Sequence, residues 1–580
     1  MDSAAGEHLV NIQRRKALTK PLDNYPELLA RVLAHRGIQS EAELPQSLAQ
    51  LLPPTLMMGL SEAAEIVAAA IAEQKRILIV GDFDCDGATS VALAMLGLSA
   101  LGANHVDYLV PNRFEFGYGL STEIVEVARE RSPDLIITVD NGISSVEGVA
   151  LARSYGWDVV VTDHHLPGDQ LPDASEIVNP NQHGCEFPSK HLAGVGVMFY
   201  LLIALRSRLR ALGNTAVEQV NLAQWLDIVA VGTVADVVPL DANNRLLVSQ
   251  GLARIRSGRC RPGIKALLQI AKRDPVVAKA TDLGFAVGPR LNAAGRLDDI
   301  SVGIRCLLTS DDSQAMTLAD QLNQYNVSRR EIEASMQAEA AVAVKAITLT
   351  GELPWGLCVY EPSWHAGVVG IVASRLKEQH HRPVIVFADE SDGFIKGSGR
   401  SIPGLHLRDA LDQVAKQAPE VLHKFGGHAM AAGLSIHRAH FEAFCERFDE
   451  VVRSQLTADD LTETLLSDGV LTSADLHTDN AKLLSTAQPW GQGFPEPSFD
   501  GEFFVVSSKV LQDKHVKLTL APVDNRQHLV DGILFNYQTA DRRWHEQTSK
   551  IHAVYQLDVN RWRGNESLQL MLRHLDVVYD

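Results

Sequence analysis

The stretch Val80–Gly87, VGDFDCDG, places aspartates at 82, 84 and 86, with Cys85 between the last two. Carboxylates this close repel one another, so the segment calls for a neutralising cation. In an extended chain, side chains two apart share a face. That would aim the three aspartates together and turn Phe83 and Cys85 into packing. Carboxylate oxygens joined by imidazole suit Mn²⁺ or Mg²⁺, whereas thiolate favours softer metals, so Cys85 is read as a small buried filler and not as a ligand. Further acidic and imidazole groups follow in VDNG (Asp140), TDHH (Asp163, His164, His165) and GTVADVVPL (Asp236). Asp82, Asp84, Asp86, Asp140, His164, His165 and Asp236 are enough ligands for two ions, and paired ions typically serve in-line phosphoryl displacement. A spare imidazole can then contact the phosphate or the leaving oxygen.

Such residues need elements that carry them to one rim. From Arg76 to His165, apolar runs (RILIV, VDYLV, DLIITV, WDVVVT) alternate with helix-like segments. This pattern predicts an α/β fold with a doubly wound parallel sheet buried on both faces. GDFDCDG, VDNG and TDHH each follow such a run directly, at the carboxyl end where open α/β sheets bind ligands. Residues 311–346 lack Gly and Pro, and Leu318, Leu322, Tyr325, Ile332 and Met336 fall at helical spacing, which predicts a long connecting helix. A smaller α/β domain is predicted next, with strands LCVY and PVIVF, a helix GVVGIVASRLKEQ, and glycine-rich loops FIKGSGRS and KFGGHAMAAG. After PWGQGFPEP, five short strands with polar turns predict a barrel of the OB type.

The expected plan is an N-terminal extension (1–44), a catalytic domain (45–310), a connecting helix (311–346), a smaller domain (347–455), and a linker with the OB-like domain (456–580). The chain of 580 residues is 46% hydrophobic and 21% charged and has no apolar run of about 20 residues, so no membrane span is expected. Its start lacks the order of a secretory signal. Six scattered cysteines without a CxxC pair fit reduced thiols in the cytoplasm and argue against structural zinc. A net charge of −18 is unusual for a nucleic-acid binder, yet it does not exclude a local basic groove. RSRLR (206–210) and RIRSGRCR (254–261) are read as solvated helix faces or turns.

GDFDCDG, VDNG, TDHH and GTVADVVPL, in that order, resemble the motifs of the DHH phosphoesterase superfamily. WHAGVVGIVASRL, KGSGRS and FGGHAMAAG resemble its accessory DHHA1 domain. GPRLNAAGRLDD, LNQYNVSRREIE and PWGQGFPEP look more narrowly like the RecJ-type single-strand-specific 5′ exonucleases of bacteria. The resemblance covers nearly the whole chain from about residue 45. It implies one metal near Asp82, Asp84 and Asp140, and a second held by Asp86, Asp140, His164 and Asp236, with Asp140 bridging. It also implies a phosphate-contacting His165 whose ring, with that of His164, is oriented by Asp163. Phe83 and Cys85 stand where tyrosine and alanine are common in the family, and Phe494 where asparagine is frequent; none of these changes removes a ligand.

For substrate handling, Arg113, Arg290 and Arg296 are fixed cations suited to phosphate. Ser398 and Arg400 resemble a pocket for a terminal 5′-phosphate. His428 is expected to line the same cleft or to be a packed structural histidine, and Trp364 and His365 to stack on a base or to pack the domain. The implied activity is 5′→3′ degradation of single-stranded DNA to mononucleotides in recombination and repair. It would be carried out by a monomer working with a single-strand-binding protein and a helicase. A DHH phosphodiesterase for short oligonucleotides or cyclic dinucleotides, or a pyrophosphatase, is the enzymatic alternative, but such proteins are usually shorter and lack the barrel. A non-catalytic DHH scaffold is the other, and it predicts eroded metal ligands; here they are intact.

Overall fold

The computed structural model describes residues 10–44, 46–111, 119–350, 352–512, 514–537, 550–562 and 564–578. Arg113 lies outside the described residues. Two compact units are formed, one from 14–326 with 467–580, the other from 1–13 with 327–466.

In the first unit, five strands lie in the spatial order Val106–Leu109, Ile77–Gly81, Leu135–Val139, Asp158–Thr162, Glu176–Val178, all parallel. Ile77–Gly81 and Leu135–Val139 are buried at every position, as strands covered on both faces must be. The chain order reverses at Ile77–Gly81, whose neighbours are Val106–Leu109 on one side and Leu135–Val139 on the other. That is the switch point at which such sheets open a crevice. Helices Cys85–Ala100, Gly194–Ala211 and Leu226–Ala235 pack behind it, contributing Val91, Leu98, Val197, Leu201, Ile228 and Val231 to the core.

The same unit contains a closed five-stranded barrel built from Phe499–Leu511, His515–Pro522, Val530–Leu534, Asn565–Val577 and Lys550–Trp562. All its pairings are antiparallel except that of Val530–Leu534 with Asn565–Val577. The N-terminal segment is fastened to this half of the chain. Arg14 pairs with the buried Asp500 at 2.8 Å, and Arg36 bonds both oxygens of the buried Asp468 at 2.6 and 2.9 Å.

Helix Asp312–Thr350 runs from the first unit into the second. The second unit has a mixed five-stranded sheet in the order Lys424–Gly427, Ala431–His437, Phe394–Arg400, Val384–Asp389, Leu357–Tyr360. The glycine-rich KGSGR and KFGG segments, expected as loops, are antiparallel strands. The reason is packing: a Cβ on Gly397 would meet the Phe387 ring at 2.6 Å, and one on Gly399 would meet Leu407 at 2.7 Å. The basic RIRSGRCR segment also differs from a solvated face. Arg256 donates to Ala278 O, and Arg261 to the carbonyls of Leu307, Leu308 and Thr309. No single described helix is long and apolar enough to cross a membrane.

Candidate metal centre and phosphate sites

Asp82–Asp86 is not extended, contrary to the expectation. The strand ends at Gly81, Asp84 caps the next helix by accepting from Gly87 N at 3.0 Å, and Asp86 already lies in the first helical turn. The DG pair breaks the strand because the helix must pack against its own entry loop, where a Cβ on Gly87 would collide with Asp82 O. The three carboxylates therefore split. Asp82 and Asp84 gather with Asp140, while Asp86 gathers with His164 and Asp236.

Asp140 joins the two groups. It follows its strand in a left-handed conformation, φ +62°, and its Oδ1 stands 3.1 Å from His164 Nε2. The same nitrogen is 3.6 Å from Asp236 Oδ2 and 4.0 Å from Asp86 Oδ2. Helix Gly194–Ala211 begins against this centre: Gly194 N and Val195 N donate to the two oxygens of Asp86 at 2.6 and 3.0 Å. Only glycine fits at 194, since a Cβ there would lie 2.6 Å from Asp140 Cβ.

The electrostatics call for a cation. Burial, then the neighbouring Asp236, pushes Asp86 up to about 7. Burial and the charge of Asp84 push Asp236 up to about 7, and burial with Asp86 drives Asp140 well above the carboxylate range. Burial, then the charge of His165, lowers His164 and keeps its imidazole neutral. His164 Nε2 and Asp236 Oδ2 are buried atoms without a hydrogen bond. Clustered oxygens, a neutral imidazole nitrogen and orphaned buried acceptors fit hard divalent ions.

A group whose folded pKa is raised loses stability as pH climbs from its ordinary value toward the raised one. Chelator-treated protein should therefore lose stability from these groups between about pH 4 and pH 7. The check is thermal melting of the wild type against Asp236→Asn. The variant should show the shallower fall with pH, and added Mn²⁺ should flatten the wild-type curve.

Asp163 organises the second histidine. Its Oδ1 accepts from His164 N, His165 N and His165 Nδ1, the last at 2.7 Å, and its Oδ2 accepts from Ile143 N at 2.9 Å. Burial alone would lower His165, but the hydrogen bond and charge of Asp163 outweigh it and hold the ring up to about 9. Asn181 and Asn179 brace the carbonyls of His164 and His165 at 2.6 and 2.9 Å.

Cys85 is 1% exposed, its thiol is pushed up by burial, and it belongs to neither acidic group. Cys85→Ala should stay within a few-fold of wild-type activity with unchanged Mn²⁺ stoichiometry by calorimetry. Loss of one ion would refute its reading as filler.

Sequence reasoning missed Asn292, whose Oδ1 accepts from Cys85 N at 2.7 Å and so fixes the start of the helix that carries Asp86. Its motif, GPRLNAAGR, offers only its arginines as chemistry to a reading of the sequence. Arg290 of that motif is turned inward, donating to Ala286 O at 2.7 Å and Asn323 Oδ1 at 3.1 Å. Arg296 is half-buried, one residue after Gly295, where a Cβ would collide with Phe83 O.

In the second unit, Ser398 and Arg400 share the face opposite Gly397 and Gly399. Arg400 Nη1 lies 3.2 Å from Ser398 Oγ, and both abut Gly370 in the first turn of helix Val369–His380. A helix N-terminus, a hydroxyl and a half-buried guanidinium make an arrangement suited to an anion. His428 is exposed on the turn between two strands. Trp364 is 6% exposed and donates from Nε1 to Glu339 at 2.8 Å, so it packs the domain and stacks on no base.

A switch-point rim of aspartates and histidines on a parallel sheet is the arrangement of a DHH phosphoesterase, and the model of the DHH family, N-terminal domain, matches residues 76–233. The DHHA1 domain matches residues 339–454 and the RecJ OB domain residues 467–574. The chain belongs to the RecJ family of single-stranded-DNA-specific exonucleases. It is 53% identical to the single-stranded-DNA-specific exonuclease RecJ of Salmonella typhimurium over 94% of this chain and 95% of that one. Among solved structures, it resembles RecJ of Thermus thermophilus in complex with Mn²⁺, with a TM-score of 0.77 and 28% identity over 99% of this chain and 80% of that one. The Mg²⁺ complex of the same protein gives a TM-score of 0.73 and 27% identity over 98% and 78% of the two chains.

Proposed function

We propose that this chain is a single-stranded-DNA-specific exonuclease that uses two Mn²⁺ or Mg²⁺ ions and removes mononucleotides from the 5′ end. The carrying observation is the pair of acidic groups joined through Asp140 at the switch point of the sheet. Asp82, Asp84 and Asp140 would hold one ion, and Asp86, Asp140, His164 and Asp236 the other. When bound, such a pair supplies an activated water and stabilises charge on the phosphoryl oxygens. Asp163 fixes the ring of His165 through Nδ1, which presents Nε2 to the scissile phosphate as a cationic donor. Arg296 and Arg113 are assigned to the strand's phosphates. Arg290 braces its own helix beneath them.

Polarity is assigned to Ser398 and Arg400 at the start of helix Val369–His380, with His428 at the exposed rim. A terminal phosphate monoester carries more charge than an internal diester, so a cation aimed at it distinguishes the ends. Arg400→Ala should weaken action on 5′-phosphorylated strands more than on 5′-hydroxyl strands. Losing a charge-assisted hydrogen bond costs about 1.5–3 kcal/mol, roughly ten- to a hundred-fold in kcat/KM. Equal losses on both substrates would show that Arg400 grips the general backbone.

The barrel supports a role in holding the strand, as OB folds do by stacking and backbone contacts. Recombination and repair in the cytoplasm, with a helicase to expose single strands and a single-strand-binding protein to keep them open, is the setting this activity fits. The chain is proposed to act as a monomer. The test is Mn²⁺-dependent digestion of single strands labelled at either end. A 5′ label should appear at once as mononucleotide, while a 3′ label should remain on progressively shorter strands. Early release of the 3′ label would overturn the polarity, and equal digestion of duplex would overturn the strand specificity.

A further inference from the structure

The turn that follows Asp236 is held at Pro239 and Leu240 by the segment that leads into the barrel. Asp236 is the C-terminal cap of helix Leu226–Ala235, its N–H donating to Gly232 O at 2.9 Å. Val237 follows with φ +63°, a strained conformation for a β-branched residue, which persists only where its surroundings impose it. Val238, Pro239 and Leu240 then complete the motif, and Leu240 is gripped at both backbone groups. Its N–H donates to Gln492 O at 2.7 Å, and its carbonyl accepts from Arg245 Nη1 at 2.9 Å.

The loop that supplies Gln492 is fitted to this turn. A Cβ on Gly491 would lie 2.7 Å from Leu240 Cδ1, and one on Gly493 3.1 Å from Pro239 Cβ, with Gly493 itself at φ +69°. The loop is locked by a four-layer stack. Trp490 and Phe494 lie face to face at 5.1 Å, with Arg36 over the first ring at 5.4 Å and Arg245 over the second at 4.2 Å. Arg245 is 5% exposed and also donates to Glu43 O. One side chain therefore holds the stack and the turn together.

We infer that the Gly491–Gly493 loop and Arg245 are positioning residues for Asp236, setting the affinity of the ion site shared by Asp86, His164 and Asp236. The inference rests on the two-ion reading and deepens it. Occupancy of one site is tied to the C-terminal segment, while the site of Asp82, Asp84 and Asp140 has no such tie through Leu240. Partners that orient a metal ligand are typically worth ten- to a hundred-fold in metal affinity.

The test is Mn²⁺ titration of full-length protein, followed by calorimetry and by the electron paramagnetic resonance signal of a coupled ion pair. Gly493→Ala adds a methyl group against Pro239, and Arg245→Met removes the donor to Leu240. Each should leave one ion bound as in wild type, weaken the other about ten- to a hundred-fold, and lose the coupled signal at limiting Mn²⁺. The Mn²⁺ concentration for half-maximal hydrolysis should rise in step, and Arg245→Lys should restore part of the affinity. Equal weakening of both ions, or of neither, would overturn the inference. If Gly493→Ala and Arg245→Met fail to fold by circular dichroism, Arg245→Lys decides by the same criterion. A wild type that binds a single ion defeats the two-ion reading instead. The inference is then decided by whether that ion weakens in the variants.

Discussion

An Asp140→Asn protein should fold normally and lose hydrolysis of single strands by about a thousand-fold, the upper range for removing one preorganised charge-stabilising group. The effect is large because one side chain serves both acidic groups. Asparagine is the informative replacement. Asp140 sits at φ +62°, a region asparagine tolerates and alanine does not, so Asp140→Ala would mix backbone strain with the loss of charge. The variant also removes one member of a set of buried, mutually repelling carboxylates. Without metal it should melt above the wild type, and with saturating Mn²⁺ below it. Calorimetry should show both ions weakened. Near-wild-type turnover would sink the assignment of Asp140 as a shared ligand.

Asp163→Asn should lower kcat by roughly 10²–10⁴-fold, the range for a positioned proton-handling side chain. Asp163 gives one oxygen to three N–H groups of the two histidines and the other to Ile143 N. An amide can satisfy one side of this arrangement only. Its NH₂ would face either Ile143 N–H or the donors of the histidine pair, and His165 would lose the charge that holds it up to about 9. The alkaline limb of the pH–rate profile should move toward neutrality, with little change in Mn²⁺ affinity. An unshifted limb would mean that His165 does not act as the cation assigned here.

Much of this centre was legible because strand-terminal chemistry leaves a linear trace. An apolar run followed at once by acidic residues gave Asp82, Asp140 and the TDHH segment their place on one rim. A period-two reading of Asp82, Asp84 and Asp86 failed because the helix begins at Cys85, and its N-cap is one of the same aspartates. Nothing in VGDFDCDG distinguishes a carboxylate that caps a helix from one that continues a strand. The glycine-rich strands of the second unit misled for a related reason. Glycine reports that something must come close, and here Phe387 and Leu407 come close to Gly397 and Gly399. Arg290 and Arg296 are alike in composition, and only Ala286 O and Asn323 in the folded chain reveal that the Arg290 guanidinium turns inward.

The attachment of the N-terminal segment has a consequence for how the chain is made. Arg36 finds its carboxylate 432 residues later in the sequence, and Arg14 finds its own 486 residues later. At roughly 5–20 residues per second, a ribosome needs about 20–90 s to deliver Asp468 after Arg36 has emerged. During that interval the parallel sheet can close on its own, since all five of its strands lie between residues 77 and 178. Arg14 and Arg36 must wait for their partners. Their docking is thus a late step of biogenesis, set by the release of the domain that carries Asp468 and Asp500, and a nascent chain stopped before residue 468 would lack both ion pairs.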